Sequence, residues 1–68
     1  MVEYTNSKIR ELIAEYVHNE RYRRILESRL IDGTTYERLA EENDMSVSQV
    51  KRIIKKESWS VFKHLKVN

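Results

Sequence analysis

A small all-α domain is what this sequence predicts, and three observations carry the prediction. The 68 residues contain no proline and a single glycine, Gly33, so strand punctuation is nearly absent and helical propensity dominates. Apolar residues recur at three- and four-residue spacings, which gathers them on one side of a helix instead of alternating them across a strand. Serine or threonine followed three positions later by glutamate or glutamine marks helix starts. Together these predict four to five helices in a single domain over residues 1–68.

Each element has its own local reason. Ile9, Leu12, Ile13, Tyr16 and Val17 fall at i, i+3, i+4, i+7 and i+8, and predict a first helix over about residues 6–18 with one buried face. Tyr22, Ile25, Leu26 and Leu30 repeat the spacing over about 20–31, with Asn19 suited to cap that second helix. Gly33 should end it, because glycine enters the left-handed conformation without a Cβ clash. Thr34 with Glu37 reads as a capping box, in which the hydroxyl accepts from an early backbone N–H and the carboxylate reaches back, so a third helix is expected over 34–42. Ser46 with Gln49 is a second such box, and Met45 before it is placed to staple onto Val50. A fourth helix should start there. Extended to about residue 66, it would gather Val47, Val50, Ile53, Ile54, Val61 and Leu65 on one side.

Composition narrows the function classes. With 40% apolar and 35% charged residues the chain can build one small core and no second lobe. Such a core is expected to yield only about 3–5 kcal/mol net. There is no cysteine, which fits a reducing, cytoplasmic setting and removes the commonest structural zinc sites. No apolar run approaches the roughly 18 residues of a membrane span. The start MVEYTNSK lacks the layout of a signal peptide, so the chain is expected to act as it stands. Net charge is +2 overall but strongly polarised. Residues 1–44 carry seven cations and ten anions, whereas residues 45–68 carry six cations and one anion, Glu57. A basic end of this kind suits a polyanion, nucleic acid before an anionic membrane surface. Its bland counterpart is a solvated, lysine-rich helix.

Two short helices joined by about three residues, the second of them basic, make the pattern of a helix-turn-helix over about residues 34–57. Leu39 and Ala40 on the first helix, Met45 in the turn, and Val50 and Ile53 on the second fall where such a pair needs packing side chains. Ala40 matters most, since the crossing leaves no room for a large residue. Asp44 stands where many such turns carry glycine. Aspartate tolerates the left-handed conformation better than most residues, so the turn is expected to survive.

The stretch DGTTYERLAEENDMSVSQVKRIIKK resembles, without a gap, the fourth conserved region of bacterial sigma factors, and RRILESRLIDG ahead of it resembles that region's preceding helix. The likeness spans about residues 19–65. It implies a module that reads promoter-like duplex in the major groove and, in the parent family, also touches RNA polymerase. The sigma segments that bind core enzyme and open the promoter find no counterpart. The expectation is therefore a short stand-alone regulator of the sort found in bacterial chromosomes and their mobile elements or phages.

Residues near the start of a recognition helix reach base edges first, so Ser46, Val47, Ser48, Lys51 and Arg52 are the expected groove contacts, with Val47 shared with the core. Arg52 has the planar fork for guanine O6 and N7. Lys55 and Lys56 are expected to hold phosphates, as are Thr35 and Arg38 on the preceding helix, which crosses the backbone.

Other residues point elsewhere. His18 and His64 belong to no ligand spacing, and the adjacent Glu41 and Glu42 diverge by about 100° on a helix, so neither a metal site nor a paired acid and base is expected. Arg21, Arg23 and Arg24 form either a second phosphate patch or, as preferred, pairs with Glu20 and Glu27. In an unbroken fourth helix Trp59 would point away from the core stripe, with Phe62 beside it. A bend near Glu57 and Ser58 that turns Trp59 inward is favoured over a dimer contact, and base stacking ranks third. The function expected is sequence-specific binding of double-stranded DNA in transcription regulation, without enzyme activity or cofactor. RNA polymerase and a second copy of the chain are candidate partners. The rival readings are a module that docks on polymerase or another regulator without reading DNA, and the DNA-binding subunit of a recombinase or terminase.

Overall fold

Each of the four described helices begins on a side chain that accepts a hydrogen bond from one of the otherwise unpaired N–H groups of the first turn. The computed structural model describes residues 5–63, in which four helices follow one another: α1 (Asn6–Tyr16), α2 (Glu20–Leu30), α3 (Tyr36–Glu42) and α4 (Val47–Phe62). No strand occurs among the described residues, and the predicted all-α class stands. Thr5 Oγ1 accepts from Lys8 N at 3.2 Å and Asn19 Oδ1 from Tyr22 N at 3.1 Å. Ser46 and Gln49 form the full reciprocal box: Ser46 Oγ accepts from Gln49 N at 3.1 Å, while Gln49 Oε1 accepts from Ser46 N at 3.0 Å.

The predicted box at Thr34 and Glu37 does not form. The cap of α3 is Thr35, whose Oγ1 accepts from Arg38 N at 3.2 Å, so α3 begins at Tyr36 and not at residue 34. Thr34 is instead tied to α2 at both its backbone groups: its N–H donates to the Ser28 carbonyl and its carbonyl accepts from Arg29 Nη1, each at 3.0 Å. Two adjacent threonines offer nearly equal caps, and the connection back to α2 selects the second.

Helix ends are equally local. Gly33 lies in the left-handed region at φ +70°, and Asp44 joins it there at φ +54°. At the end of α3 the Met45 N–H returns to the Ala40 carbonyl at 2.9 Å and the Asp44 N–H to the Glu41 carbonyl at 3.4 Å. That pair of bonds around a left-handed residue is a Schellman motif, here with aspartate where glycine is usual. The motif turns the chain within three residues and places Met45 against the core.

Ten side chains drawn from all four segments make the core: Leu12, Ile13, Val17, Ile25, Leu26, Leu39, Ala40, Val50, Ile54 and Val61. α4 packs against each of the other three helices. Its buried stripe of Val50, Ile54 and Val61, with Val47 and Ile53 half-buried, therefore decides which way its remaining surface looks. Leu65 and His64, also considered from sequence, lie outside the described residues. No described helix is long and apolar enough to cross a membrane.

Ala40, only 6% exposed, is in this core. Replacing it by leucine should force α3 and α4 apart and cost about 1–3 kcal/mol through overpacking. A urea or thermal melt of Ala40→Leu checks this, and an unchanged midpoint would show the crossing to be looser than described.

The favoured inward turn of Trp59 is not what the chain does. α4 stays helical through Glu57 and Ser58, and Trp59 stands 67% exposed. Ser58 Oγ donates to the Lys55 carbonyl and Ser60 Oγ to the Lys56 carbonyl, both at 3.3 Å, so these hydroxyls bond within the helix without breaking it. Turning Trp59 inward would have to rotate Val61 out of a position where it is wholly buried, with loss of helical hydrogen bonds as well.

Candidate nucleic-acid interface

With the apolar stripe of α4 committed to the core, helical geometry at about 100° per residue puts Ser48, Arg52 and Lys55 on the opposite side, within a sector of roughly 60°. All three are exposed, as are Lys51 and Lys56 on their flanks. From Ser48 to Lys55 the helix rises about 10 Å, comparable to the roughly 12 Å width of a B-DNA major groove. Among described residues from Lys51 to Lys63 the sole anion is Glu57, and it is half-buried. The face is therefore outward from Ser48 and cationic from Lys51 to Lys56.

The expected contact residues sort into several environments. Ser46 caps α4, its hydroxyl accepting from Gln49 N while the residue remains exposed. Val47 is half-buried and packs on the core. Ser48 is exposed beside it. Arg52 is exposed, and it also lines a shallow groove with Tyr22, Met45, Gln49 and Ile53. The aliphatic stem of an arginine so placed can rest on apolar neighbours while its guanidinium stays in water. Lys51 is drawn to one side: its Nζ stands 5.5 Å from the Tyr36 ring centroid, close to the start of α3. Lys55 and Lys56 extend from exposed positions farther along the helix.

On α3, Thr35 and Arg38 are both exposed. Arg38 Nε donates to Glu42 Oε2 at 3.1 Å, the one ion pair among the described residues. A solvent-exposed pair of this kind is worth no more than about 1 kcal/mol and is screened by salt, so it does not prevent Arg38 from turning to a phosphate.

Three residues that organise this region are not marked by local sequence signals. Arg29 holds the Thr34 carbonyl and lays its guanidinium over the Tyr36 ring at 4.2 Å, locking the entry to α3. Tyr36 thus carries Arg29 and Lys51 together. Arg21 donates to the Asn43 carbonyl and so ties α2 to the turn before α4. The preferred pairing of Arg21 and Arg23 with glutamates is not formed; Arg23 instead donates to the Val17 and Ala14 carbonyls at the end of α1. The spacing of these arginines allowed a carboxylate partner, whereas the folded chain presents unpaired helix-end carbonyls, which only the tertiary arrangement brings into reach.

No group of three or more histidine, cysteine or acidic side chains able to hold a metal occurs among the described residues. No protein-family model, curated protein or solved structure matches this chain. What the cationic face can bind follows from its own geometry and charge.

Proposed function

We propose that the chain is a sequence-specific duplex DNA-binding protein that acts in transcription regulation, with α3 and α4 working as a helix-turn-helix and the start of α4 entering the major groove. The observation that carries this reading is the division of α4: Val50, Ile54 and Val61 are buried while Ser48, Arg52 and Lys55 all face solvent. The tight Schellman turn after α3 supports it, because it brings α4 across α3 within three residues. The likeness of residues 32–56 to the fourth region of sigma factors points the same way.

In this reading Ser46 and Ser48 let the helix sit deep, Arg52 reads a base edge, and Val47 makes an apolar contact from a half-buried position. Lys55 and Lys56, with Thr35 and Arg38 from α3, grip the backbone and set the register without reading sequence, and Lys51, expected in the groove but drawn toward the Tyr36 ring, joins them in this reading. One recognition helix covers only a few base pairs, so useful specificity comes from paired half-sites or from a polymerase partner.

A salt titration of duplex binding tests the proposal. Neutralising four to five phosphates should give a slope of log K against log salt of roughly −3.6 to −4.5, hence a loss of about 150- to 500-fold between about 50 and 200 mM salt. Absence of duplex binding at low salt, with retained affinity for RNA polymerase, would favour a purely protein-docking role.

A further inference from the structure

The stripe that begins with Ser48, Arg52 and Lys55 does not end there. Spacings of four and three carry it on to Trp59 and Phe62, which lie on the same side of α4 and are 67% and 37% exposed. These are the large apolar side chains that the described surface leaves open. Lys55, Ser58, Trp59 and Phe62 line one shallow groove. The Ser58 hydroxyl donates its proton to the Lys55 carbonyl, so it offers that groove no free donor. Lys55, Lys56 and Lys63 surround the two rings as exposed cations.

We propose that this end of α4 is a second binding surface, which docks a protein segment presenting apolar side chains flanked by carboxylates, such as one face of an acidic amphipathic helix. Trp59 and Phe62 supply the dry centre and the lysines a complementary rim, the anatomy of a small interface with an aromatic anchor. Charge decides against a second copy of the chain. In a two-fold contact a patch meets itself, so Lys55, Lys56 and Lys63 would face their own counterparts. Duplex DNA fits less well, because a phosphate wall does not cover apolar rings. Trp59 and Phe62 also stand about 16 and 21 Å along the helix from Ser48, beyond a groove entered by the start of α4. The surface goes beyond the DNA reading and does not depend on it.

Trp59 is the single tryptophan of the chain, so its fluorescence reports on this patch alone. The 68-residue protein is titrated, without DNA, with a synthetic amphipathic helical peptide of leucine and glutamate and, in parallel, with the same peptide carrying lysine for glutamate. The leucine–glutamate peptide should shift Trp59 emission to the blue and saturate, and the lysine peptide should not. Phe62→Ala and Lys63→Glu should each weaken binding several-fold. With a fluorescent label on the peptide, Trp59→Ala should lose about tenfold or more while its circular dichroism stays helical. No saturable shift by about 1 mM peptide, or equal response to both peptides, overturns the proposal. A blue shift that grows with protein concentration alone would assign the patch to self-association, and a shift seen only in a separate titration with duplex DNA in place of peptide would assign it to nucleic acid; either replaces the protein partner proposed.

Discussion

Leu26→Ala is expected to leave much of the chain unfolded at room temperature. Leu26 is completely buried among residues contributed by all four helices, and truncating a leucine at such a site costs about 2–5 kcal/mol, the spread reflecting how far the cavity can collapse. A domain of this size is expected to have only about 3–5 kcal/mol in total. The variant should therefore show a large loss of helical circular dichroism or a transition displaced far toward zero denaturant. Leu26→Met, which nearly conserves volume, should retain the fold with a loss under about 1.5 kcal/mol. A transition of Leu26→Ala within experimental error of the parent would mean that stability comes from self-association and not from this core.

Arg52→Ala should have the largest effect on recognition. Arg52 is exposed on the outward stripe of α4 and makes no ion pair with another described residue, so its removal leaves no buried charge behind and the melting transition should move little. If its guanidinium forks onto guanine O6 and N7, duplex affinity should fall by about 1–3 kcal/mol, roughly 5- to 150-fold, and preference should relax at one base position. Arg52→Lys should not restore that preference, because an ammonium lacks the planar fork. Selection of bound duplexes from a random pool, run with parent and variant, reads both quantities. Equal loss on every sequence would move Arg52 to the class of phosphate contacts.

Much of the fold is legible one turn at a time. Asn19 and the Ser46–Gln49 box start their helices as expected, and Asp44 takes the left-handed conformation that the turn needs. These features depend on groups within about three to five residues of one another, so the chemistry that decides them is visible in a short stretch of letters. The same local character explains the error at Thr34. Two neighbouring threonines satisfy the cap rule about equally, and the choice fell to Arg29 and Ser28, which hold Thr34 from α2. Trp59 shows a different failure. Periodicity put it outside, and the general cost of exposing an aromatic side chain argued for a bend, yet three buried aliphatic residues on the other side of α4 outweigh one exposed indole.

The sequence by itself determined that this protein is helical, where three of its four helices begin, which side of each helix is apolar, and that the chain's positive charge concentrates toward its end. Helix caps, periodic apolar positions and charge counts are short-range or additive, so folding does not alter them. Tertiary structure alone decided which threonine caps α3, which backbone carbonyls Arg21, Arg23 and Arg29 reach, and that Tyr36 supports two cations. Those outcomes depend on where one helix end meets another in space. Long flexible arginine and lysine side chains take whichever acceptor or ring the packing brings near, and that packing is set by the buried faces of all four helices acting together.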